Sequence, residues 1–217
     1  MPDNQLSINY PEGKVFKVGI RDLLSAPVDA IVNPANSGLS HGSGIAAIIS
    51  NEGGPKIDDH CKMYIEKYGR IPVTKAVATT AGRLPYKGIV HAVDPRMGDG
   101  DEINKIEARV MNCLAIAQAK GWGSIAFPAI STGLFMIPKD VCARAFKNAV
   151  ASFWTKSPET PVKLIWLCLT IEDYPVFEDI LRSASYTEYS ASKPARAGAG
   201  ESYGYTCAES HGRREAK

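Results

Sequence analysis

From residue 28 to residue 181, short apolar runs alternate with amphipathic stretches, which predicts strands interleaved with helices. Residues 28–32 predict a short buried strand, followed by a glycine-rich loop and an apolar helix over 45–50. A second helix is expected over 57–68, ended by Gly69, and strands over 73–79 and 88–93. Ile103, Ile106, Val110 and Leu114 recur at helical spacing within 101–120, and Gly121 stops that helix. Residues 124–130 predict another strand leading into a loop over 131–137. Pro138 then opens a helix at a first-turn position, where its missing N–H costs nothing. Residues 163–170 form the most hydrophobic strand, and 175–181 a short closing helix. Such alternation implies a sheet covered by helical layers. Ligands of such sheets bind at the carboxyl ends of the strands, where both glycine-containing loops are expected to meet.

The pattern stops after Leu181, beyond which there is no Ile, Leu, Val, Met, Phe or Trp. Residues 183–217 carry too little apolar surface to offset the entropy of ordering them. They are expected to be a disordered tail or a linker, leaving 1–182 as one folded domain. Apolar residues make up 45% of the 217 and charged residues 22%, as in ordinary globular chains. The net charge of +2 gives no sign of direct nucleic-acid or membrane binding. The five cysteines are odd in number and widely spaced, without a CxxC pair, which argues against a disulfide scaffold or a structural zinc site. Cys113, Cys142 and Cys168 read as small core side chains in a reducing compartment. No apolar leader and no 18-residue apolar stretch is present, so the cytosol is expected and the nucleus is compatible.

The first loop runs Asn33-Pro-Ala-Asn-Ser-Gly-Leu-Ser-His-Gly-Ser-Gly44. Gly42 and Gly44 let a ligand approach the main chain, and the helix behind them turns its unpaired N–H groups toward the loop. That suits phosphate, yet neither GxxxxGK[ST] nor a clean GxGxxG is present, which argues against P-loop and dinucleotide-dehydrogenase sites. The amides of Asn33 and Asn36 offer donors and acceptors suited to ribose hydroxyls. The second loop, Ser131-Thr-Gly-Leu-Phe-Met136, repeats strand, small polar residues, glycine and helix; two such loops suit a diphosphate. Phe135 could lie against a sugar or base, or simply anchor its loop.

VDAIVNPANSGLSHGSGIAAII, LPYKGIVHAVDPR and SIAFPAISTGLFMIP, in this order, resemble successive landmarks of the macrodomain family. The resemblance covers about residues 15–181 and comes closest to the macrodomains attached to ADP-ribosyltransferases and to viral ones. It implies a three-layer α/β/α sandwich with a mixed six-stranded central sheet and ADP-ribose in a cleft across the strand ends. Carried over by residue, Asp22 matches the acid that accepts from the adenine amino group, with a backbone contact from Leu23. Asn36 matches the asparagine holding the distal ribose. Gly42, Ser43, Gly44 and Ile45 match the first phosphate loop, and Ser131, Thr132, Gly133, Leu134 and Phe135 the second. A turn or helix cap is the competing reading of Asp22. This chain departs from the pattern in Ser43, Asp94 and Met136, each in a glycine's place, and in Thr170, where an aromatic often stacks on adenine.

The resemblance implies ADP-ribose and ADP-ribosylated proteins as partners of a monomer that needs no cofactor and no metal. Three functions compete: a reader of ADP-ribose, a hydrolase releasing mono-ADP-ribose from acidic side chains, and a degenerate macrodomain serving as an interaction scaffold. For hydrolysis, Ala46 stands where some family members carry an aspartate. Asn36 orienting the ribose and His41 moving a proton are the residues left for catalysis, although a histidine beside a glycine turn also serves loop structure. Glu52, Asp58, Asp59, His60 and Cys61 read as a solvated helix face rather than a metal site, because consecutive helix positions point in different directions. His91 reads as a satisfied core residue.

Overall fold

The structure, a computed structural model, describes residues 4–95, 98, 100–129 and 137–183. Its elements are β1 (Gln5–Tyr10), β2 (Lys14–Ile20), β3 (Ala30–Ala35), α1 (Gly44–Gly53), α2 (Pro55–Tyr68), β4 (Ala76–Thr79), β5 (Gly88–Val93), α3 (Glu102–Ala119), β6 (Ser124–Pro128), α4 (Lys139–Lys156), β7 (Leu164–Leu169) and α5 (Tyr174–Arg182). Among the described residues the sheet has seven strands in the order β1-β2-β7-β6-β3-β5-β4. The five inner strands run parallel, while β1 and β4 close the two edges antiparallel.

The sandwich and the mixed sheet are as the resemblance implies, but six strands become seven. Residues 5–10 alternate, with Leu6 and Tyr10 buried and Gln5, Ser7 and Asn9 exposed. That period of two adds an edge strand, which Tyr10 anchors by placing its ring 4.7 Å from that of Trp154 on α4.

The two faces of the sheet carry different cores. On one, Phe16, Val32, Val90, Phe127 and Leu167 meet α3, α4 and α5. On the other, Ile31, Ile89, Val93 and Ala126 meet Ile49 of α1 and Ile57 and Cys61 of α2. Gly54, at φ +80°, separates α1 from α2, and Pro55 starts the second helix without needing its N–H. Each parallel strand ends at the same edge, so Arg21, Thr170, Ala129, Asn36 and Asp94 follow one another along it in sheet order. Among the described residues no helix is long and apolar enough to cross a membrane.

Candidate functional site

The carboxyl edge gathers most of the residues singled out by sequence. Asp22 follows β2 and caps a short helical turn over Leu23–Ser25, accepting the Leu24 N–H at 3.2 Å through Oδ1. The cap reading of Asp22 is therefore present in the structure, and the side chain is exposed beside the edge. Leu23 is buried, and its carbonyl accepts from the Tyr86 hydroxyl at 3.3 Å. Thr170 is exposed at the end of β7, and its hydroxyl accepts the Asp173 N–H. Nearby the Arg21 guanidinium lies 4.3 Å from the centre of the Trp166 ring, a cation–π contact on the outer part of the sheet.

Beyond β3 the chain turns through residues 36–40 and enters the glycine loop. Asn36 is exposed, but its amide shapes this turn: Oδ1 accepts the Gly38 and Ser40 N–H groups, and Nδ2 donates to the Ser40 carbonyl and hydroxyl. Gly42, Ser43 and Gly44 are exposed at the start of α1, and among the described residues no side chain caps this helix. Gly44 holds φ +61°, a conformation a side chain resists, whereas Ser43 is extended at φ −161°. The first-turn N–H groups of α1 thus face a loop free of side-chain competitors, with the positive end of the helix dipole behind them. Ile45 is half-buried and Ala46 buried in the first turn. Ser131, Thr132, Gly133, Leu134 and Phe135, with Met136, lie outside the described residues.

Two expectations need correction. Asn33 does not reach the cleft. It faces the α1/α2 layer from β3 and is fully buried, with Nδ2 3.0 Å from Nδ1 of His91, its register partner on β5. An even offset from Ile31 and Ala35 puts it on that inner face. The second concerns the supposed solvated helix face, which falls on α1 at Glu52 and on α2 from Asp58 to Cys61. Glu52, Asp59 and His60 are exposed, but Cys61 is buried and Asp58 reaches His41. Cys61 follows Ile57 by one helical turn, so it shares the inward stripe.

Sequence reasoning did not foresee the polar cluster formed beneath the glycine loop. The His41 side chain is 4% exposed; its Nδ1 lies 2.6 Å from Asp58 Oδ1 and its Nε2 3.4 Å from His91 Nδ1. Ser50 donates to Asp58 Oδ2 at 2.8 Å. Cys61 Sγ stands 4.0 Å from His41 Nε2 and 3.8 Å from His91 Nε2, which also meets the Thr79 hydroxyl at 2.8 Å. Burial pushes the His91 imidazole down to about 3, the neighbouring His41 adding to it, so His91 is neutral. Burial, with Asp58 nearby, pushes the Cys61 thiol up to about 12. Partial burial works to raise the Asp58 carboxyl, but bonds from Ser50 and His41 outweigh it and hold it below the usual range.

Asp94, at the end of β5, is buried against the equally buried Arg109 of α3. Burial pushes its carboxyl up to about 6 against the pull of the guanidinium. The charge that replaces a glycine here is therefore matched by a cation from the neighbouring helix.

Comparison with known proteins agrees with this arrangement. The family model described as Macro domain matches residues 32–146. Protein SSO2899 of Saccharolobus solfataricus is 39% identical over 163 residues, spanning 75% of this chain and 89% of that protein. The O-acetyl-ADP-ribose deacetylase of Enterobacter sp. (strain 638) is 34% identical over 168 residues, or 76% of this chain and 93% of the enzyme. Among solved structures, the Oceanobacillus iheyensis macrodomain with ADP superposes at a TM-score of 0.76 and 24% identity, over 82% of this chain and 95% of that one. The Trypanosoma brucei macrodomain in complex with ADP-ribose gives 0.68 at 21% identity, over 76% and 68% respectively. The chain belongs to the macrodomain family.

Proposed function

We propose that this macrodomain binds ADP-ribose along the carboxyl edge of its sheet, free or attached to proteins, and hydrolyses esters carried on the distal ribose. The observation that carries the reading is the uncapped amino terminus of α1 behind Gly42-Ser43-Gly44, placed between the Asp22 and Asp94 ends of one edge. Main-chain N–H groups there suit a diphosphate oxygen. Asp22 has a second carboxylate oxygen for the adenine amino group while the first keeps its cap, and Leu23 lends main chain beside it. The second phosphate loop, 131–135, is assigned from its sequence alone.

At the distal ribose Asn36 is the residue in reach. The Ser40 hydroxyl now takes one Asn36 N–H at 2.8 Å, and a ribose hydroxyl can replace it without dismantling the turn. Hydrolysis adds one water across the acyl–oxygen bond, releasing a carboxylic acid and a free ribose hydroxyl. An acetyl ester and an ester to an acidic side chain are the same bond type, and the relatives named O-acetyl-ADP-ribose deacetylase support that chemistry. His41, enclosed by Asp58, Cys61 and His91, is assigned to holding the loop rather than to carrying the proton. In its place the substrate's own phosphate assists the water.

The test is titration calorimetry with ADP-ribose and AMP, followed by single-turnover release from O-acetyl-ADP-ribose and from a carboxylate-linked ADP-ribosyl protein. ADP-ribose should bind more tightly than AMP, and Asn36→Ala should lose release while keeping much of the binding. Equal affinity for the two nucleotides would sink the cleft assignment. Binding without release from either ester would leave a reader, and no binding at all would favour the interaction scaffold.

A further inference from the structure

We infer that His41, His91 and Cys61 form a divalent transition-metal site of the zinc class, buried beneath the glycine loop. One ligand atom from each lies within 4.8 Å of the other two. They come from three separate segments: the loop before α1, strand β5 and helix α2.

Hydrogen-bond accounting explains why a cation fits. The Thr79 hydroxyl donates to the Thr80 carbonyl at 3.0 Å, so it accepts from His91, and the His91 proton sits on Nε2. Asp58 holds the other histidine's proton, on Nδ1 of His41. The remaining nitrogens, His41 Nε2 and His91 Nδ1, therefore turn lone pairs toward each other across 3.4 Å. Asn33 Nδ2, 3.0 Å from His91 Nδ1, relieves one of these lone pairs, and a cation between the two nitrogens would satisfy both at once. Tetrahedral zinc, with Zn–N of about 2.0–2.1 Å and Zn–S of about 2.3 Å, separates two nitrogens by about 3.4 Å and nitrogen from sulfur by about 3.6 Å. The two nitrogens are already spaced for it; Cys61 Sγ, 4.0 Å from His41 Nε2 and 3.8 Å from the protonated Nε2 of His91, must shift toward the Nδ1 side to complete the set.

Two further features point the same way. Asp58 on His41 and Thr79 on His91 are the outer partners that orient metal-binding imidazoles and set their tautomers. Asn33 Oδ1 is a fully buried oxygen without a hydrogen-bond partner among the described residues, while its Nδ2 sits 3.0 Å from His91 Nδ1. A half turn of the amide exchanges the two atoms and would offer Oδ1 as a fourth ligand, with Nδ2 taking the unpartnered position. On binding, the Cys61 thiol gives its proton to solvent and coordinates as thiolate, while both histidines coordinate as neutral rings.

The site is independent of the ADP-ribose reading and is tested without it. Protein stripped with a chelator is titrated with zinc chloride, with cobalt chloride as a spectroscopic probe, and its metal content is measured by mass spectrometry. One metal per chain is expected, with a tetrahedral cobalt spectrum showing a thiolate charge-transfer band and a melting temperature that rises with zinc and falls back with EDTA. Cys61→Ser should abolish the charge-transfer band and stoichiometric binding, whereas Cys168→Ser and His60→Ala should keep both. Asp58→Asn, which touches only the outer partner, should weaken zinc about 10–100-fold without changing the ligand spectrum. Failure of the stripped wild type to take up zinc or cobalt overturns the inference. Unchanged binding by Cys61→Ser overturns it equally.

Discussion

Ser43 occupies a position where the family resemblance expects glycine, yet its φ of −161° is ordinary extended backbone open to any residue. The serine is therefore unstrained, and Ser43→Gly should change ADP-ribose affinity by less than about tenfold, or about 1.4 kcal/mol, in calorimetric titration. Asp94, also in a glycine's place, is not so neutral. Its partner Arg109 is fully buried, and neither Nη atom has a hydrogen-bond partner among the described residues, where Asp94 is the one carboxylate paired with it. Asp94→Asn should cost about 3–5 kcal/mol in denaturant unfolding, while Asp94→Ala combined with Arg109→Met should recover most of the loss. A single mutant within about 1 kcal/mol of wild type would show that the pair is not coupled as described. This pairing was half legible in the sequence. Arg109 lies among Ile106, Val110, Cys113 and Leu114, the buried stripe of α3, and a charge on such a stripe demands a counterion. Nothing in the spacing said that the counterion would be Asp94, because strand and helix meet only in the folded sheet.

The elements themselves were largely readable, with errors at their ends and at the amino terminus. The helix read from Ile103, Ile106, Val110 and Leu114 exists, but Ile103 is 39% exposed in its first turn, where the stripe has not yet reached the sheet. Strands β1 and β2 escaped a reading that began at residue 28, although both alternate; β2 buries Phe16 and Val18 and leaves Val15 and Lys17 half-exposed. Cys61 was missed because it was grouped with the neighbouring charges, although it follows Ile57 by one helical turn and shares its buried stripe. At the opposite edge from the candidate site, Asp29 ties the starts of three strands. It accepts the Gly123 N–H before β6 at 2.7 Å and the Lys87 ammonium before β5 at 2.8 Å, and its own N–H donates to Ser124 Oγ. Partial burial works against its charge, but Lys87 and the Gly123 N–H outweigh it and lower the carboxyl below its ordinary 3.8. The stabilisation is thus complete above that value and is lost as pH falls through the lower folded one. Asp29→Ala should cost about 1–3 kcal/mol at neutral pH and flatten acid unfolding below pH 4. ADP-ribose affinity should not move; a loss of binding would mean that the two edges are coupled.

At the scale of the molecule, the core beneath α3, α4 and α5 is closed by residues up to Leu181, which packs with Phe177 on the face shared with α4. Removing residues 184–217 should leave melting temperature and ADP-ribose affinity nearly unchanged, since that segment supplies no aliphatic core residue. A drop of several degrees in a thermal scan would show that it packs on the domain. The order of strands has a consequence for how the protein is made. β2 lies between β1 and β7, so Val15 is paired with Leu164, far along the chain, while β1–β2 and β4–β5 are the local pairings. As the chain leaves the ribosome amino end first, β2 and β6 must wait with open edges until β7 emerges to bridge them. Nascent chains stalled before Leu164 should stay sensitive to protease, and those released beyond Leu181 should become resistant together across the sheet. Synthesis of the last core strand, rather than of the glycine loop, is then the moment at which the cleft first exists.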